Sequence, residues 1–225
     1  FLNVAGWVGV VGSLRMTMTQ PCMTTRRSVL AAGVLGSSSA FTPAATATDT
    51  GISTATVRLA SGQHFPLASF GLQAYDDDRA RKATLLALEV GYRNFFASSL
   101  AGNARGFARA VCESRIPRSE LFICGSVAVS PSRSVRASLG YEAAYASTVR
   151  GWDATMAAMV SGGVDRLDMV LLDYPCRACD GVRGQWDALQ ALAPPATSLA
   201  VSNFSVDELD CLLRSPGLKR APVLN

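Results

Sequence analysis

The side chains with chemistry to offer are few and widely spaced. The chain has one histidine, His64, and six cysteines: Cys22, Cys112, Cys124, Cys176, Cys179 and Cys211. Only Cys176-Arg-Ala-Cys179 forms a close pair. Such spacing lets two thiols cycle with a disulfide when a helix terminus or a cation lowers one pKa. It also suits two unreactive loop cysteines after a strand, and both readings stay open. With a single histidine and no second cysteine pair at zinc-ribbon spacing, no structural metal site is expected. Asp173 closes the apolar run Leu167-Asp-Met-Val-Leu-Leu-Asp173. A carboxylate at the end of a buried strand is placed for proton transfer or, alternatively, is a solvated rim residue. Tyr174 has the opposite parity, which predicts core packing rather than a donor role. Cys124 shares parity with Ser126 and is expected to fill an interior.

These groups need elements to hold them, and the organising stretch is Gly91-Tyr-Arg-Asn-Phe-Phe-Ala-Ser-Ser-Leu-Ala-Gly-Asn103. A helical pattern with Ala83, Leu86, Ala87 and Val90 on one face precedes it. The strand Asn94–Ala97 and a loop follow, and Gly102-Asn103 opens the next helix. Asp76, Asp77 and Asp78 supply an N-cap and first-turn carboxylates for the helix ending at Glu89. Thr56–Leu59 and Phe65–Leu67 flank Ser61-Gly62 as a hairpin that carries His64 at the end away from the pocket. Further strands are expected at Leu67–Leu72, Arg118–Val127, Leu167–Asp173 and Ser198–Val201, and a last one begins at Pro222–Asn225. Between them lie helices marked by Asn103–Ser114, by Trp152, Met156, Met159 and Val160, and by Val182, Trp186 and Leu189. Ser205-Val-Asp-Glu208 reads as a capping box, opening a helix with Val206, Leu209 and Leu213 as its apolar face. Strands alternating with helices predict an α/β fold, either doubly wound or part of a (β/α)8 barrel. About 250 residues make a whole barrel. Only the first five to six strands of one are expected in residues 51–225.

Residues 1–50 read as a leader with a linker. Met23-Thr-Thr-Arg-Arg-Ser-Val-Leu30 is a basic start followed by a short apolar run, and Ser37–Ala40 offers small residues for cleavage. Thr25–Leu30 resembles a twin-arginine signal, and Ser39-Ala-Phe-Thr-Pro43 resembles a plastid transit cleavage site. Plastid import or export follows from these, and a cytoplasmic location otherwise. The apolar run is too short to span a bilayer. The chain opens on Phe1, and Met16, Met18 or Met23 are candidate true starts. Half of the net charge of +4 lies in this leader, so the body is close to neutral. No basic stripe appears, and nucleic-acid binding is set aside.

The body resembles the aldo-keto reductases. The resemblance is carried by Gly62-Gln-His-Phe-Pro66, Ala87-Leu-Glu-Val-Gly-Tyr-Arg93, Gly102-Asn103 with Gly106 and Arg109-Ala110, Ile116–Ile123, Leu167–Leu172 with Pro175, and Val201-Ser-Asn-Phe-Ser205, in family order across 56–225. It implies a (β/α)8 TIM barrel that reduces small carbonyl substrates with NADP(H) and needs no metal. The family uses an Asp, a Tyr acid, a Lys that lowers the Tyr pKa and a His that orients the carbonyl. Those positions fall on Phe96, Ala101, Ser126 and Asp173, so all four are substituted. The nicotinamide-holding Ser and Asn are present as Ser202 and Asn203, and Gly71 is the third cofactor-side position. The family's next Gln and its 2′-phosphate loops lie past Asn225, so the chain is expected to be C-terminally truncated. The expectation is an aldo-keto-reductase-like, NADP-dependent domain, atypical or inactive in the standard reaction. A non-catalytic nucleotide- or partner-binding barrel and an incomplete gene-model fragment are the alternatives.

Overall fold

The computed structural model describes residues 51–72, 75–128, 130 and 132–225. The leader predicted for 1–50 lies outside them. A two-stranded antiparallel hairpin, β1 (Thr56–Arg58) and β2 (His64–Pro66), comes first. A parallel sheet follows, built from β3 (Ser69–Gly71), β4 (Asn94–Ala97), β5 (Phe122–Ala128), β6 (Met169–Asp173) and β7 (Ser198–Ser202). Helices α1 (Asp77–Glu89), α2 (Ala104–Ser114), α3 (Arg133–Ser138), α4 (Tyr141–Ser161), α5 (Cys179–Leu192) and α6 (Val206–Leu213) fill the connections.

Strand order decides between the two expected architectures. The order is β3-β4-β5-β6-β7, the order of the sequence. A doubly wound sheet reverses direction at a switch point, and a barrel does not. The sheet therefore has the winding of a barrel, with the helices against one face and a concave face opposite. Beyond β7, Val201 N–H donates to the Leu224 carbonyl (3.0 Å) and Val223 N–H to that of Leu199 (2.9 Å). The last strand expected at Pro222–Asn225 is not formed as one: this segment meets the edge of β7 through these two bonds.

Alternation sorts the side chains onto the two faces. Phe95, Ile123, Val127, Val170, Leu172, Leu199 and Val201 point to the helices and build the main core with Phe107, Trp186 and Leu189. On the concave side Phe122, Cys124, Met169 and Ala200 form a second cluster, closed from below by Leu59 and Phe65 of the hairpin. Phe65 meets Phe122 edge to face at 5.3 Å. Ser61 and Gln63 bond Ser198, and Asn94 donates to the Pro66 carbonyl at 2.7 Å. The hairpin is therefore a floor stitched to both sides of the sheet. His64 lies on this hairpin, exposed, as expected.

Apolar periodicity misplaced residues of three helices; in α4 Met159 is buried but Val160, expected on the same face, is 53% exposed. In α1 the buried residues are Ala80, Thr84, Ala87 and Leu88, while Leu86 and Val90 are exposed. The cause is close approach to α2: a Cβ on Gly106 would lie 2.0 Å from the Asp77 carbonyl oxygen. Small residues must face inward there, and the large aliphatics turn out. In α6, Leu212 is fully buried, Leu209 packs against the core, and Val206 and Leu213 are exposed. Asp76 caps α1 by accepting from Arg79 N–H at 2.8 Å, as expected. The Gly106 contact also fixes an outcome. Gly106→Ala should cost about 1–3 kcal/mol, or more if the backbone cannot shift. Urea unfolding of the variant against the parent measures it.

Candidate functional site

The concave face at the C-terminal strand ends is where barrels place their chemistry. Strand register brings Gly71, Phe96 and Cys124 abreast, then Ser126 beside Leu171, and then Asp173 beside Ser202. Phe96, Ser126 and Asp173 therefore share one face, with Cys124 on it beside Ser126 as expected. Phe96 is half-buried against the concave cluster. Ala101 ends a 3-10 turn at Ser99–Ala101, which Ser98 caps by accepting from Leu100 N–H.

Ser126 is fully buried, and its hydroxyl is already engaged. It accepts from Ser99 N–H at 3.0 Å and lies 3.3 Å from the Ser99 hydroxyl. This bond moors the turn after β4 to the sheet. Asp173 is only 3% exposed. Its Oδ1 accepts from the side-chain amide of Asn203 at 2.7 Å, and that amide also donates to the Ser202 hydroxyl at 3.1 Å. Asn203 sits in the left-handed region with φ 62°, which aims its side chain back across the strand ends. Asp173 is therefore not a solvated rim group but a buried acceptor held by an amide.

Tyr174 departs from its expected place in the core. Its φ of 54° breaks the strand alternation immediately after Asp173. Its ring packs under the Arg136 guanidinium at 5.0 Å instead, a cation–π contact between the segments after β5 and β6. Cys124 does fill the interior, with its thiol pKa driven far up by burial. Gly71 ends β3 with open space beside its Cα. Among the described residues no cluster of three or more His, Cys, Asp or Glu could hold a metal, and no helix is long and apolar enough to cross a membrane.

The cysteine pair is corrected. Cys179 is bonded not to Cys176 but to Cys211 of α6. Cys176 is a separate, fully buried thiol whose backbone N–H donates to Gln185. Cys179 opens α5 and faces outward, whereas Cys176 turns into the core one strand-end earlier. Close spacing in sequence does not bring the two thiols to the same surface.

Sequence reasoning also passed over Asn103 and Asp168. Asn103 is fully buried and donates to the carbonyls of Leu72 and, at 2.8 Å, Tyr75, holding the segment after β3 against α2. Asp168 accepts from Ile123 N–H and from Arg118, both at 2.7 Å, joining β5 and β6 at their starts. The signal for Asn103 was the Gly102-Asn103 pair itself: Gly102 supplies a φ of 66° and frees Asn103 to turn inward. A cavity of about 280 Å³ opens between the 3-10 turn and α4, lined by small side chains such as Ser99, Gly102, Gly151 and Ala158. It lies in a helix seam, not over the concave face.

No protein-family model matches the sequence. Relatives do. An aldo-keto reductase of Mycolicibacterium vanbaalenii is 28% identical over 160 residues, covering 70% of this chain and 52% of that protein. An aldehyde reductase of Saccharomyces cerevisiae is 25% identical over 201 residues, covering 77% and 59%. The crystal structure of an aldo/keto reductase from Brucella melitensis superposes with a TM-score of 0.63 at 29% identity, covering 77% of this chain and 62% of that one. The chain thus spans between half and two thirds of the proteins it matches. In sequence and in fold the body resembles the aldo-keto reductases, and its sheet is part of a (β/α)8 barrel of their type.

Burial fixes a pH response. It raises the Cys176 thiol from its ordinary 9.0 to about 11, so the folded protein keeps a proton that the unfolded chain releases. Stability present below pH 9 should fall as pH rises from 9 towards 11. At pH 8, Cys124 and Cys176 should resist alkylation in the folded protein and react only on unfolding, as peptide mass spectrometry after iodoacetamide would record. Rapid labelling of either in the native state would contradict their burial.

Proposed function

We propose that this chain is an NADP(H)-dependent oxidoreductase domain of aldo-keto-reductase descent that binds nucleotide but carries out the standard carbonyl reduction poorly. One observation carries the reading. Ser202 and Asn203 are fixed at the end of β7, and the resemblance places the family's acid–base positions on Phe96, Ala101, Ser126 and Asp173. The resident groups fit the carboxamide end of a nicotinamide. Asn203 spends its amide N–H on Asp173 and Ser202, and its oxygen makes no bond among the described residues, leaving an acceptor for a carboxamide N–H. Gly71 leaves space at the neighbouring side of the face. When bound, the cofactor supplies the hydride.

What this chain's residues do with protons is the limiting matter. Ala101 has no hydroxyl to donate. Ser126 cannot tune a neighbour's pKa by charge, and its own hydroxyl is tied to Ser99. Phe96 replaces a charge with an apolar wall, which suits the loss of the Lys, because a lone buried carboxylate would lack its partner. Asp173 can accept a hydrogen bond from a substrate hydroxyl but, as a carboxylate, repels a developing alkoxide. A small carbonyl compound is thus held without an acid to protonate it, and such an acid ordinarily contributes about 10²–10⁴ in rate. A non-catalytic, nucleotide-binding barrel is the second reading, favoured by the same missing donor.

Fluorescence titration with NADPH and a coupled aldehyde-reduction assay separate these readings. NADPH should bind, and Asn203→Ala should weaken it about tenfold, the worth of one to two hydrogen bonds. Turnover should lie roughly 100-fold or more below that of a relative bearing all four catalytic groups. Absence of NADPH binding would remove the cofactor reading. Turnover at the relative's level would mean that another group donates the proton.

A further inference from the structure

The segments after β6 and β7 are tied at successive rungs. Asp173 accepts from Asn203 at 2.7 Å, Arg177 pairs with Glu208 at 2.8 Å, and Cys179 is disulfide-bonded to Cys211. Glu208 also accepts from the Ser205 N–H and hydroxyl, so the middle rung includes the capping box that starts α6. Little else holds that helix. Leu212 and Glu208 are its buried side chains, while Val206 is 84% and Leu213 48% exposed. The last rung is covalent and faces outward: Cys179 is exposed and Cys211 half-buried. Beside it opens a cavity of about 200 Å³ lined by Arg177, Cys179, Val182, Asp207, Glu208 and Cys211.

We infer that Cys179–Cys211 is a reversible redox site, addressed by a dithiol reductant through this cavity, and that its state sets whether α6 and the Asn203 turn are clamped. A thiolate of the reductant attacks the Cys211 sulfur, forming a mixed disulfide and expelling the Cys179 thiolate. That thiolate is the better leaving group because it sits at the first residue of α5, where the helix N-terminus favours a negative charge. The reductant's second thiol then displaces Cys211. The protein gains two electrons and two protons, and the reductant leaves as its own disulfide. The neighbouring Cys176 takes no part, since it is fully buried in the core. Once the covalent rung is open, α6 is held by the packing of Leu209 and Leu212 on the core and by an ion pair whose Arg177 side is 46% exposed. The inference stands whether or not nucleotide binds.

The test is hydrogen exchange of the full chain, air-oxidised and then treated with dithiothreitol, with differential alkylation reporting thiol state. Alkylation should show Cys179 and Cys211 protected before treatment and free after it. Amides of 203–213 should then exchange roughly tenfold faster or more, while those of α2 and β5 keep their rates. The double variant Cys179→Ser with Cys211→Ser should exchange like the reduced protein and ignore the reductant. Three results would overturn the inference: both thiols free in the oxidised sample, a disulfide that resists the dithiol while the protein is folded, or unchanged exchange at 203–213 after full reduction. Loss of protection throughout the chain would also overturn it, making the disulfide a global staple and not a local clamp. NADPH titration in both states reads the cofactor site separately, so a failure there leaves the exchange result intact.

Discussion

A parallel sheet has two faces to take out of water, and its strands carry apolar side chains on both. The rest of this molecule follows from that requirement. One face is covered by the helices, with Trp186, Phe107 and Met159 as the largest wedges. The other curves over Phe122, Cys124, Met169 and Ala200 and is sealed from below by Leu59 and Phe65. The polar stitches along that floor use Ser61, Gln63, Asn94 and Ser198, none of them charged. A concave interior without ionised groups is cheap to bury, which is why Phe96 can sit where a charge would need a partner.

The C-terminal rim of the same face is polar. Its hydroxyls and amides are engaged with one another: Ser126 with Ser99, and Asn203 with Ser202 and Asp173. In the proposed reading this is a pocket refitted from proton transfer to holding. Removing both members of an Asp–Lys pair is less damaging to stability than removing one, because neither charge is left stranded. The coherence of Phe96 with Ser126 fits that logic, and Asp173 remains as the one carboxylate, fixed by an amide.

Loops at this rim are not independent of one another. Arg136 stacks on Tyr174, joining the segments after β5 and β6. The next joint, between the segments after β6 and β7, runs from a hydrogen bond through an ion pair to a covalent bond. The strand-end groups Asp173 and Asn203 are thereby linked, through Arg177 and Glu208, to the disulfide at the outer surface.

The alternation of strand and helix, the capping groups Asp76 and Ser205, the floor hairpin and the shared parity of Cys124 and Ser126 were legible in the sequence. Each is a local property: a period, a cap or a turn residue acts within a few positions of chain. Periodicity alone left the winding open, because strand order is a long-range fact; the resemblance carried by the motifs pointed to the barrel, and the order β3 to β7 agrees with it. The rotation of α1 followed from the Gly106 contact with Asp77, twenty-nine positions apart and invisible to periodicity. Tyr174 was misplaced because one left-handed residue resets the alternation. The Cys179–Cys211 bond was not foreseen, because Cys176 and Cys179 are near in sequence yet face different media, whereas Cys211 is brought to Cys179 by the packing of α6 on α5. The sequence by itself determined which elements form and which residue types reach the site. Only the tertiary structure decided which of them meet, because contacts between distant segments depend on how whole helices and strands are docked.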